Sequence, residues 1–252
     1  MIENSKPKKQ TPSQNRKTPS VKVTLIEGFL TGKNAYFKVL PISFSMFLIN
    51  QILLTYGVTN FQSHLTVLLG ALLLLVFLFL TAGSVLSLIF TASVHQNKKC
   101  SFAIAWRLML HSLPQALLAG VITFSFTAFG LMLFILPGFM AATLFSICIP
   151  ILLFESKKAP EALKLSIKRT LTHFTYTAAI LSVTWLLMFG SSLLISPVLN
   201  LLNLGENLNI GLGLLSSAGF TLEDLIQTLV IILIFPFVQG LIISLYFNLS
   251  RL

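Results

Sequence analysis

The sequence predicts an all-α polytopic membrane protein, with about six transmembrane helices in three hairpins, each hairpin preceded by a basic amphipathic segment. Three observations lead there. Charged residues make up 10% of the 252-residue chain and hydrophobic residues 55%, whereas a soluble domain is about 25% charged and needs that charge at its surface. Uncharged apolar runs of roughly 20 residues recur, the length of a helix that crosses the hydrocarbon core. Positive charge is confined to alternate connections between those runs. The runs read as helices because a helix satisfies its own backbone hydrogen bonds in lipid, and the alternation of a membrane β-strand is absent.

The elements follow in order. Residues 1–21, MIENSKPKKQTPSQNRKTPSV, are rich in Lys, Ser, Thr and Pro and contain no apolar h-region. They therefore read as a disordered basic cytoplasmic tail and not as a cleavable signal peptide. Their charge is taken as a topology signal, with no nucleic-acid partner expected. A transmembrane domain over 22–252 follows, with spans expected at about 37–58, 65–92, 113–135, 139–154, 175–199 and 225–248. Basic amphipathic stretches at 23–37, 102–111 and 160–174 precede the three pairs, a weak repeat of organisation.

The charges set the orientation. Eight of the 17 Lys and Arg residues lie at or before the start of the first span, from Lys6 to Lys38. Lys98, Lys99 and Arg107 lie between the second and third spans, and Lys157, Lys158, Lys164, Lys168 and Arg169 between the fourth and fifth. Arg251 follows the last span, and the other connections have no basic residue. Cytoplasmic flanks retain Lys and Arg, so both termini are expected in the cytoplasm of a bacterial inner (plasma) membrane.

The most informative stretch runs from Leu136-Pro137-Gly138 to Thr170. Pro137-Gly138 is expected to form a tight turn between the third and fourth spans. Sixteen uncharged residues then give roughly 24 Å of helix, short of a core of about 30 Å. Pro150 falls inside this span and reads either as a hinge or as a static kink. Beyond Glu155, Pro160 suits the first turn of a helix. On that helix Leu163, Ile167, Thr170, Leu171 and Phe174 share one face, and Glu161, Lys164 and Lys168 the other. Such a helix suits the cytoplasmic interface, with Lys164, Lys168 and Arg169 toward anionic head groups. The alternative is that it packs on the bundle.

Leu136, Pro137, Gly138, Glu155, Ala162, Leu163 and Ser166 together resemble the "LPG…E…AL..S" block of a bacterial family. That family comprises the membrane domain attached to some glycerophosphoryl diester phosphodiesterases and the related stand-alone YciC-type inner-membrane proteins. The ending Pro236-Phe237, Tyr246-Phe247-Asn248-Leu249 and Arg251 resembles its C-terminal block. The chain departs from the family after Ser166, where Thr172-His173-Phe174 stand in place of the usual Gly and aromatic pair. The resemblance implies a six-helix inner-membrane protein. The phosphodiesterase activity is not transferred, because it needs a separate soluble barrel for which this chain has no room.

Sequence chemistry points away from catalysis. Apart from Lys38 at the very start of the first, the expected spans contain no Lys, Arg, Asp or Glu, which disfavours a proton-coupled pump. His64, His95, His111 and His173 are scattered near span ends, without metal-ligand spacing. Neither a nucleophile triad nor a Gly-rich phosphate loop is present. Cys100 and Cys148 read as two free thiols. Asn50, Gln51, Gln115 and Gln239 are the polar intramembrane residues, expected to bond between helices. Gly83 with Ser87, and Gly240 with Ser244, have the small-xxx-small spacing of close helix contacts. The expectation is a non-enzymatic membrane protein in envelope or lipid homeostasis, with no cofactor and with anionic lipid as its cytoplasmic partner. The alternative is a transporter or permease-like subunit for a neutral or lipidic substrate.

Overall fold

The computed structural model describes residues 20–60, 66–201 and 222–251. The basic tail before Ser20, His64, the connection with Glu206, and Thr221, whose spacing to Asp224 predicts a helix cap, lie outside the described residues. The described residues form eight helices and no strand: α1 (Val21–Asn60), α2 (Thr66–His95), α3 (Phe102–Leu133), α4 (Ile135–Phe145), α5 (Cys148–Phe154), α6 (Ala159–Thr172), α7 (Phe174–Leu201) and α8 (Leu222–Ser250).

Among the described residues four stretches are long and apolar enough to cross a membrane: Leu72–His95, Phe102–Leu133, Ile135–Phe154 and Leu225–Ser250. A fifth candidate is the pair Ala159–Thr172 and Phe174–Gly190, bent by 105° at its break. The chain is therefore a multi-pass, membrane-embedded helical protein by the length and composition of its helices.

The basic amphipathic segments differ from the expectation. The first is simply the start of α1, a continuous helix of 40 residues with Pro41 inside it. The second is likewise the start of α3, which runs 32 residues through Pro114. Only the third is a helix of its own. Its separation comes from His173, at φ −129° and ψ 44°, where the helical path is abandoned. An amphipathic stretch in sequence does not by itself break a helix; a non-helical residue at the junction does.

The expected turn at Pro137-Gly138 lies elsewhere as well. The chain reverses at Phe134, whose backbone is extended at φ −166° and ψ 159°. Leu136, Pro137 and Gly138 then sit in the first turns of α4, where proline's missing N–H leaves no helical bond unmade. Gly138 is needed for space: a Cβ there would lie 2.7 Å from Leu131 N. One on Gly130 would lie 2.8 Å from Gly138 Cα. The α3–α4 corner is a backbone-to-backbone contact, and its flanks Met132, Phe134 and Ile135 are 86%, 76% and 81% exposed. That much exposed apolar surface suits lipid.

The fourth span is broken in two. The helix is interrupted at Ser146–Ile147, and Pro150 lies in the first turn of α5. A proline ring collides with the carbonyl four residues before it, here that of Ser146, which accounts for the position of the break.

The tightest packing is between the first and last helices. Gly240 of α8 faces Gly28 and Gly32 of α1, so that a Cβ on Gly240 would approach Gly32 N to 2.6 Å. Lipid tails are as apolar as the side chains, so close van der Waals contact holds such helices together. Here the glycines allow it. Ser244, one turn on, donates to Thr24 O at 3.2 Å. The principal pairing thus joins the two ends of the chain and not two members of one hairpin. Helix α3 is peripheral, with exposed Phe124, Phe126 and Phe129 along it.

Candidate functional site

Of the motif residues, Leu136, Pro137 and Gly138 belong to the α3–α4 corner and Ala162, Leu163 and Ser166 to the buried face of α6, while Glu155 lies where α5, α6 and α8 meet. Glu155 follows α5 and pairs with Arg169 of α6 through both carboxylate oxygens, one contact being Arg169 Nη2 to Oε2 at 3.2 Å. Tyr246 of α8, almost wholly buried, donates to Glu155 Oε1 at 3.2 Å. The acid of the first motif block therefore meets the tyrosine of the C-terminal block. A bidentate arginine fork holds a carboxylate in one orientation, and the tyrosine ties that orientation to α8. Phe154 packs on Tyr246 with ring centroids 5.6 Å apart.

The structure divides the three expected surface cations of α6. Lys164 and Lys168 are exposed, whereas Arg169 is turned toward Glu155. The apolar face of α6 is likewise turned toward protein. Its buried residues are Ala159, Ala162, Leu163, Ser166 and Thr170, while Leu171 is 57% exposed. Small residues let α6 lie close on α4, and the Ser166 hydroxyl donates to Leu144 O at 2.7 Å. The N-terminus of α6 has no side-chain cap of its own. Gln115 of α3 supplies one by accepting the Ala159 N–H at 3.0 Å. That is the interhelical role expected of a polar intramembrane residue.

Beside this cap is a cavity of about 320 Å³. Its lining combines polar His111, Ser112, Gln115, Lys157 and Lys158 with apolar Leu108, Leu152 and Leu153. Lys158 is exposed, and Lys157 makes a long 3.8 Å contact with Glu161 that leaves both side chains largely in solvent. Two ammonium groups and leucine side chains in one lining are complementary to an anionic amphiphile. A second cavity, of about 330 Å³, is lined by Met46, Gly83, Leu86, Trp106 and Met109, with little polar character.

A third group of polar residues was not assembled by sequence reasoning. Thr24 and Glu27 of α1, Tyr176 of α7, and Ser244 and Asn248 of α8 form one network. Asn248 Nδ2 donates to Thr24 Oγ1 at 2.9 Å and to Glu27 Oε2 at 3.2 Å. The Thr24 hydroxyl also bonds that of Tyr176. Next to it His95 of α2 bonds Thr31 Oγ1 through Nδ1 at 3.1 Å and stacks on Phe247 at 4.9 Å. The signal that could have found it is the spacing of Thr24, Glu27 and Thr31, which share one face of α1. Their partners are more than 60 residues away in sequence and could not be inferred.

The remaining polar residues do not gather. Gln51 lines an apolar cavity of about 160 Å³ with Phe44, Leu225 and Leu229, a lining that includes neither Asn50 nor Gln239. Asn50 Oδ1 and Gln239 Oε1 are buried with no hydrogen-bond partner among the described residues. Cys148 is buried and Cys100 partly so, both as thiols. Among the described residues no three of His, Cys, Asp and Glu are grouped to hold a metal ion.

No family model, curated protein or solved structure matches this chain. The resemblance described above therefore rests on its own motif residues.

Proposed function

We propose that this chain is a six-span inner-membrane protein with cytoplasmic termini that holds anionic phospholipid at its cytoplasmic interface and serves envelope or lipid homeostasis without catalysing a reaction. The two further spans in this reading are the apolar second half of α1 and α7. Membership of the membrane-domain family of glycerophosphoryl diester phosphodiesterases and YciC-type proteins is part of the same reading, supported by the meeting of Glu155 and Tyr246.

The observation that carries the proposal is the cavity lined both by Lys157, Lys158 and His111 and by Leu152 and Leu153. Each basic residue near an anionic surface contributes about 1 kcal/mol, and an apolar wall adds contact for an acyl chain. The alternative, transport of a neutral substrate, needs a water-filled cavity, for which Asn50, Gln51 and Gln239 are the polar intramembrane candidates. Gln51 instead opens on an apolar one.

The test is native mass spectrometry of the purified protein with its retained lipids. Anionic phospholipid is expected to be retained by the unaltered protein. In Lys157→Gln/Lys158→Gln, retention is expected to weaken by roughly 2 kcal/mol if the two contributions add. Equal retention by both proteins would refute the assignment.

A further inference from the structure

A second cleft, sharing no lining residue with the first, opens where the start of α1 meets the ends of α2 and α8. Its volume is about 360 Å³, and Glu27, Thr31, Asn34, His95, Asn97 and Arg251 line it. It contains one carboxylate and one guanidinium. Among the described residues neither takes part in an ion pair, since the pairs are Lys157–Glu161 and Arg169–Glu155.

The carboxylate is held in place. Ser244 Oγ approaches Glu27 Oε2 at 3.4 Å and Asn248 Nδ2 donates to it at 3.2 Å. The Asn248 amide donates to Oε2, the single Ser244 hydroxyl hydrogen is shared between that oxygen and Thr24 O, and Oε1 has no protein donor among the described residues. His95 is similarly fixed, its Nδ1 bonded to Thr31 and its ring lying 8° from the plane of Phe247. Its Nε2 has no protein partner among the described residues. These groups are oriented before any ligand arrives, and preorganisation lowers the entropic cost of binding.

Charge selects the ligand class. A simple anion would be repelled by Glu27 and a simple cation by Arg251. A molecule that carries an ammonium and an acid satisfies both: the ammonium at Glu27 and the acid at Arg251, with the Asn34 and Asn97 side chains as further hydrogen-bonding groups. Leu30, 52% exposed, also borders the cleft and gives it an apolar edge. We infer that this cleft is a binding site for a zwitterionic amine–phosphate group, as carried by an aminophospholipid head group or by the free phosphoamine.

The test uses the full-length protein in detergent, in the Lys157→Gln/Lys158→Gln background, so that failure of the anionic-lipid proposal and failure of this one are read separately. Short-chain phosphatidylethanolamine, phosphatidylglycerol with the same chains, and O-phosphoethanolamine are titrated calorimetrically. Phosphatidylethanolamine is expected to bind better than phosphatidylglycerol. Glu27→Gln and Arg251→Gln are each expected to weaken it by about tenfold or more, the effect of one charge-assisted contact. Glu27→Gln should also abolish the preference over phosphatidylglycerol. Binding of O-phosphoethanolamine with lipid-like affinity identifies the free zwitterion as the source; binding of the lipid alone identifies the membrane. Arg251 is exposed in the turn after α8, so its variant remains decisive if Glu27→Gln does not fold. Unaltered phosphatidylethanolamine binding in Arg251→Gln, or equal affinity for the two lipids, overturns the inference.

Discussion

At the residue scale, the contrast between Arg169 and Lys168 shows how much one neighbour decides. The two are adjacent in sequence and both were expected at the membrane surface. Arg169 instead forms the fork on Glu155, with side chains 25% and 23% exposed. Removing one partner of a fully buried pair costs about 3–5 kcal/mol. Solvent screening at this exposure lowers the expected loss for Arg169→Gln to about 1–3 kcal/mol. Lys168→Gln, at an exposed position, should change stability by less than about 0.5 kcal/mol. Thermal unfolding of both variants in one detergent checks this, and equal midpoints would mean the fork contributes nothing. Gly240 makes a related point: its spacing to Ser244 is visible in sequence, but its partners Gly28 and Gly32 are more than 200 positions away.

At the element scale, α6 and the α3–α4 corner have the clearest consequences. The amphipathic pattern of α6 is real, yet its buried face is directed at α4 and α5 because Ala162 and Ser166 permit close approach. Periodicity identifies a face; it does not say whether lipid or protein covers it. At the corner, Gly138 abuts Leu131 of the preceding helix, while a Cβ on Gly120 would come no closer than 3.2 Å, to the ring tip of Phe77. Overpacking costs typically 1–3 kcal/mol, and a flexible ring can give way where a backbone cannot. Gly138→Leu should therefore lower the folded yield more than Gly120→Leu, by size-exclusion chromatography of the two proteins. Equal yields would show that the corner is permissive.

At the scale of the whole molecule, the orientation remains to be tested. Reporter fusions at Lys98, Lys158 and Leu252 are expected in the cytoplasm, and fusions at Asn60 and Asn207 outside. A single reversal would break the alternation of basic connections on which the topology rests. In that orientation the Lys157–Lys158 cavity, the Glu155 fork and the Glu27 network would all lie toward the cytoplasmic side. Polar groups from five helices would then meet at the cytoplasmic boundary, where water and head groups can stabilise residues too costly to place in the hydrocarbon core.

The sequence by itself determined the helical, membrane-embedded class, because apolar runs of spanning length have few other places to go. It also singled out Glu155, Ser166, Gln115 and Gly240, residues whose type is unusual for their surroundings. Only the tertiary structure decided what those residues meet: Glu155 with Arg169 and Tyr246, Gln115 with the start of α6, and Gly240 with the two glycines of α1. It also decided that two amphipathic stretches continue into long helices and that the corner falls at Phe134. Hydropathy is a property of each residue in order and can be read along the chain. Pairing depends on how helices far apart in sequence approach one another in space. Among helices of similar hydropathy, that approach is set by small residues and single hydrogen bonds, signals too sparse to assign partners from one chain.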